Sequence, residues 1–148
     1  MIKSFKQFIE EKSNQIKIPK GSLGIARDQM PQIESKSVPA FIKFLKSQGV
    51  NTNKMPMSIS TLKLTQSEIN KDKVRKMIDS APEDALSKPI IISKDNFILD
   101  GHHRFVALLN INPNKKLMSY HVDVNMDILL GLAKKFPKSF TKGINENV

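Results

Sequence analysis

Apolar and polar positions change their spacing near residue 101, and the change predicts a strand running into a helix. Pro89, Ile90, Ile91 and Ile92 form a short β-branched run, followed by Ser93, Lys94, Asp95 and Asn96 and then by Phe97, Ile98 and Leu99. Two apolar runs split by Asp95 and Asn96 predict a hairpin, because Asn and Asp accept the positive φ of a two-residue turn. From Phe105 the period becomes helical, since Phe105, Val106, Leu108 and Leu109 recur at three- and four-residue spacing around Ala107, a strong helix former. The junction falls at Asp100 and Gly101.

The same reading extends along the chain. Ser4 caps an expected short helix with Phe5, Phe8 and Ile9 on one face and Lys6, Glu10 and Glu11 on the other. At about ten residues it is marginal alone, so it either docks on the domain or serves as a detachable tag. Residues 17–33 carry Pro19, Gly21, Gly24 and Pro31 and read as a connector, with Leu23, Ile25, Met30 and Ile33 as spaced apolar anchors. Ser37, Val38 and Pro39 open a helix bearing Phe41, Ile42, Phe44 and Leu45, which Gly49 ends. Residues 57–64 alternate as a strand, and after a short polar loop Asn70 caps a helix with Val74, Met77 and Ile78 inward. A turn-rich link with one helical turn at 82–85 leads to the hairpin. Beyond the junction helix, Asn112, Pro113 and Asn114 make a turn, and residues 117–124 alternate as a last strand with His121 and Asp123 on one face. Asp127 caps a final helix with Ile128, Leu129, Leu132 and Phe136, and residues 137–148 are expected to fray.

This order predicts an α/β (α+β) fold: a small mixed sheet with flanking helices. Its expected divisions are an N-terminal helical extension and connector at 1–54, a core at 55–125, and a C-terminal helix with a frayed tail at 126–148. A chain of 148 residues with 39% apolar content can supply one modest core. It has no run of eighteen apolar residues and no signal-peptide centre, so a soluble protein without membrane contact is expected. The absence of cysteine removes disulfides, thiolate metal sites and thiol nucleophiles. The net charge of +10 lies mostly in residues 1–54, with ten basic and four acidic residues, against ten and eight in 55–125. A basic flank attracts nucleic acid non-specifically, but with one Tyr and no Trp there is little for base stacking.

The junction concentrates the candidate chemistry. The first N–H groups of a helix lack intrahelical partners and carry the positive end of its dipole, which suits an anion. Gly101 lets the backbone come close, Arg104 can fork onto phosphate oxygens, and His102 and His103 add donors or a general acid or base. Asp100 either caps the helix or holds a cation beside a phosphate. The alternative is a capped helix start with two surface histidines and a salt-bridged Arg. In the polar loop Glu68 is either a proton acceptor or an ordinary exposed glutamate.

The run Pro89-Ile90-Ile91-Ile92 through Asp100-Gly101-His102-His103-Arg104-Phe105-Val106-Ala107 resembles the core signature of the ParB/sulfiredoxin fold, in the branch of ParB-like nucleases and free serine kinases. The resemblance spans roughly residues 55–124. It implies a nucleotide whose phosphates lie on Gly101, His102, His103 and Arg104, with Asp100, His102 and His103 as further catalytic candidates and Glu68 as the base. For Mg²⁺ beside those phosphates Asp100 is the candidate ligand. Sulfiredoxin's own reaction is excluded, because His102 stands at the family's cysteine. The opening Lys3 to Glu11 is similar to the starts of many tailed-phage proteins, some of which carry a trimmed head-targeting peptide.

The first expected function is transfer or hydrolysis of a phosphoryl group from a nucleoside triphosphate or diphosphate, ATP first among them, with Mg²⁺. The acceptor is an unidentified small molecule or protein, or water. Such chemistry needs positioned cations, N–H donors and a base rather than covalent help. The Walker signature is absent, which excludes an ordinary P-loop kinase. The alternatives are a ParB-like nuclease or nucleic-acid-binding protein, and a non-catalytic phage accessory protein. No helix-turn-helix or dimerisation domain is expected to fit in the chain. The expected place is the cytoplasm, of a host cell if phage-encoded, or the virion.

Overall fold

The core of the chain is a four-stranded sheet in which the apolar run Ile90–Ile92 is a middle strand and the second apolar run, Ile98–Asp100, lies beside it at the edge. The structure is a computed structural model, which describes residues 16–19, 22–80, 86 and 88–140. Among the described residues there are six strands: β1 (Ser22–Ile25), β2 (Thr52–Ser58), β3 (Leu64–Gln66), β4 (Ile90–Ile92), β5 (Ile98–Asp100) and β6 (Lys116–Val122). The helices are α1 (Val38–Ser47), α2 (Lys71–Ser80), α3 (His102–Ile111) and α4 (Met126–Lys135). The main sheet has the order β2-β6-β4-β5, with β4 parallel to β6 and the outer pairs antiparallel. β1 and β3 form a separate parallel pair, joined to the main sheet by a bridge between Lys63 and Phe97. The expected α/β class, a small mixed sheet with flanking helices, is what the structure has. No helix among the described residues is long and apolar enough to cross a membrane.

Strand alternation splits the core in two. Ile90 and Ile92 point to one side of the sheet and pack with Val74 of α2 and Phe105, Val106 and Leu108 of α3. Ile91 and Leu99 point to the other, among Phe41 and Leu45 of α1 and Met126, Leu129 and Ala133 of α4. Each fully buried Leu, Ile or Phe contributes about 1.5–3 kcal/mol, so β4, apolar on both faces, links the two layers.

Several expectations need correction. The hairpin between β4 and β5 turns through three residues, not two: Ser93 N–H donates to Phe97 O, and Asn96 takes the left-handed position at φ 68°. The strand expected at 57–64 is broken: β2 stops at Ser58, a 3₁₀ turn covers Ile59–Thr61, and β3 begins at Leu64. The Thr61 hydroxyl accounts for the stop by donating to Ser58 O at 2.8 Å. Asp127 does not cap α4. Asn125 holds the cap position, and Asp95 of the hairpin turn accepts from Met126 N–H at 3.0 Å, so the cap comes from elsewhere in the fold.

The division at residues 54 and 55 falls inside β2, and the second core layer takes residues from both sides of it. Met30 and Ile33 are buried anchors as expected, whereas Leu23 is exposed. Residue 140 does not fray: Phe140 forms an antiparallel bridge with Gln32. The helix expected after Ser4, the helical turn at 82–85 and the tail beyond Phe140 lie outside the described residues. Asn70 caps α2 as expected, its Oδ1 accepting from Lys73 N–H.

Candidate functional site

β5 delivers Asp100 and Gly101 to the start of α3. Gly101 stands at the cap of α3 with φ 102° and no side-chain cap bond, so Asp100 does not cap the helix in the ordinary way. A methyl group at Gly101 would overlap Cγ2 of the buried Ile90 and approach Arg104 Nη2 to 3.2 Å. Only glycine brings β5, α3 and the Arg104 fork together here.

A cleft of about 500 Å³ opens at this junction, within the range of small-molecule sites. Asp100, Gly101, His102, His103 and Arg104 all line it. Three further cations line it from distant parts of the chain: Arg27 from the 3₁₀ turn after β1, Lys73 of α2 and Lys88 before β4. The acids on the lining are Asp100 and Glu34, so positive charge prevails.

Arg104 is held in place before any ligand arrives. Its Nη1 donates to Lys88 O at 3.2 Å and its Nη2 lies 3.9 Å from Asp100 Oδ2. Burial lowers its pKa against the raising effect of Asp100, yet a guanidinium stays charged in proteins. Asp100 is half-buried. Burial pushes its carboxyl above the usual range, while Arg104, the Gly101 N–H and Arg27 pull it down. A carboxyl shifted up beside a cleft full of cations suits proton transfer or a cation carried by the ligand.

The two histidines do something other than donate to a ligand. His102 Nε2 accepts from the backbone N–H groups of Thr65 and Gln66, at 3.2 and 3.4 Å. His103 Nε2 accepts from Asn70 N–H at 3.1 Å, and its Nδ1 lies 3.2 Å from Arg27 Nη1. Both rings are buried, and both pKa values fall to about 3. Desolvation is the first cause for each; Arg27 adds to it at His102, and Lys73, Arg27 and His102 add to it at His103. Protonation would cost these rings the acceptors that hold the segment between β3 and α2. His102 and His103, expected as phosphate donors or as general acids and bases, line the cleft while each Nε2 accepts from the backbone of the segment between β3 and α2.

Both rings should stay neutral across pH 5–8, which the imidazole resonances in an NMR titration will report. The sign for stability follows. Their folded pKa lies below the unfolded value of 6.5, so their contribution is complete above pH 6.5 and is lost as pH falls toward 3. The slope in that window is about 1.4 kcal/mol per pH unit for each ring.

Glu68 is on the loop where it was expected, but its carboxylate does not line the cleft. Glu68 Oε1 accepts from Arg27 N–H at 3.1 Å, and its carbonyl accepts from Gln66 Nε2 at 2.6 Å. Through that bond Glu68 seats the Arg27 backbone. Sequence reasoning missed Arg27, which is 2% exposed. The available signal was an arginine set between the anchors Ile25 and Met30, in a connector whose neighbours pack inward. His121 and Asp123 do not meet at the site: Asp123 lies 3.9 Å from Lys94, and neither residue lines the cleft.

No group of three or more His, Cys, Asp or Glu suited to a metal occurs among the described residues. That donor set does not fit an all-protein metal cage. Compared with protein-family models, curated proteins and solved structures, the chain matches none of them.

Proposed function

We propose that the chain is a ParB/sulfiredoxin-like, nucleotide-binding enzyme that transfers or hydrolyses a phosphoryl group. The observation that carries this reading is the convergence of Arg27, Lys73, Lys88 and Arg104 on one cleft at the start of α3. Four cations from four separate segments meet the positive end of a helix, an arrangement that suits a polyphosphate. Asp100, rather than Glu68, is the carboxylate placed to accept the acceptor's proton or to ligate Mg²⁺ beside the phosphates. Mg²⁺, when bound, would neutralise charge developing on the phosphoryl oxygens. Arg104 would orient those oxygens, and the histidine-held loop would keep Lys73 and Arg27 in place.

The nuclease reading needs a carboxylate cluster, and the described residues offer no such group. The excess basic charge of the sequence over residues 1–54 supports at most a salt-sensitive, sequence-independent affinity for nucleic acid.

Isothermal calorimetry with ATP, with and without Mg²⁺, tests the reading. Arg104→Ala should weaken ATP binding by about 1.5–3 kcal/mol, the range for a hydrogen bond to a charged group. An Arg104→Ala protein that binds ATP as tightly as the parent would place the site elsewhere.

A further inference from the structure

One part of the cleft does not suit phosphate at all. Gln32 N–H donates to Phe140 O at 2.6 Å and Phe140 N–H donates to Gln32 O at 3.2 Å. This bridge ties the end of the described chain to the connector before α1. It sets Phe140 beside Ile33 on the cleft lining, to which α2 adds Met77 one turn beyond the cation Lys73. The aromatic side chain of Phe140 and the thioether of Met77 offer a phosphate nothing, but they suit a flat ring by stacking and sulfur contact, with the core residue Ile33 behind them. Gln32 and Ser35, on the same segment and lining the same cleft, carry an amide and a hydroxyl of the kind that reads the edge of a heteroaromatic ring.

We infer that the Gln32–Phe140 bridge builds a ring-binding subsite, so that the cleft selects a phosphate ester of a planar heteroaromatic body over inorganic or sugar phosphates. The inference rests on the phosphate reading above and adds the selecting group to it. Phe140 is a specificity residue: it touches the ring and leaves the phosphates to the cations. Because the bridge is made by backbone atoms, truncating the side chain leaves it in place.

The test compares ATP with inorganic tripolyphosphate, which carries the same phosphate chain without the nucleoside. The parent should bind ATP at least ten-fold more tightly, and Phe140→Ala should lower ATP affinity about ten-fold, the scale of one base–aromatic contact. Tripolyphosphate affinity should stay within about two-fold, since the phosphate contacts are untouched. Phe140→Tyr, which keeps the ring, should restore ATP affinity. If Phe140→Ala unfolds, as judged by circular dichroism, Met77→Ala should show the same selective loss. Equal affinity of the parent for the two probes, or an equal loss of both in the variant, would overturn the subsite and leave the phosphate reading standing. If neither probe binds the parent, the phosphate reading falls and the subsite with it.

Discussion

Asp100→Asn should lower phosphoryl turnover by about 10²–10⁴-fold, the usual contribution of a positioned proton acceptor. The carboxyl lines the cleft beside Arg104 and the start of α3, and burial raises its pKa above the usual carboxylate range. An amide keeps the shape but neither takes a proton nor neutralises Mg²⁺. Affinity for ATP without Mg²⁺ should be at least as high as in the parent, because the substitution removes a negative charge from the site proposed to take an anion. Any strengthening of binding by Mg²⁺ should shrink. Rate and binding would thus move in opposite directions, which a purely structural role cannot produce. Unchanged turnover in Asp100→Asn would remove Asp100 from the mechanism. Glu68→Gln makes a useful contrast, since Glu68 Oε1 seats the Arg27 backbone and its carboxylate stands off the cleft lining.

Gly101→Ala should destabilise the fold by about 2–5 kcal/mol, adding the strain of left-handed backbone to a steric overlap in a packed core. The new methyl would press into Ile90, which is fully buried and has no room to withdraw, and toward the Arg104 fork. Gly49 provides the comparison. It has φ 79° but open space around its absent Cβ, so Gly49→Ala should cost only the conformational part, about 1–2 kcal/mol. Urea denaturation of the three proteins checks the difference. Equal midpoints for the two variants would show that β5, α3 and Ile90 are not packed as described.

The two effects share one cause. Asp100 and Gly101 sit where a buried strand becomes a helix, and both the chemistry and the packing depend on the chain turning there without a side chain at position 101. The histidines that follow belong to the same arrangement. Their ring nitrogens accept from backbone N–H groups of a segment more than thirty residues away in sequence.

Periodicity alone determined the hairpin, the helix that follows it, and the stripes of α1 and α2, because each is encoded by neighbours within a few turns. It also determined that Asp100, Gly101 and Arg104 would stand together, since a strand-to-helix turn holds consecutive residues in one place. What it could not determine was direction. Whether His102 and His103 face a ligand or a backbone depends on which segment lies across from them, and that segment is brought there by β3 pairing with β1 and by Lys63 meeting Phe97. Other long-range contacts decided that Arg27 enters the cleft, that Glu68 turns to the Arg27 backbone, that Asp95 accepts from the first turn of α4, and that Phe140 is tied to Gln32. Each is a contact between residues far apart in the chain, made by burial and hydrogen bonding that no local pattern carries.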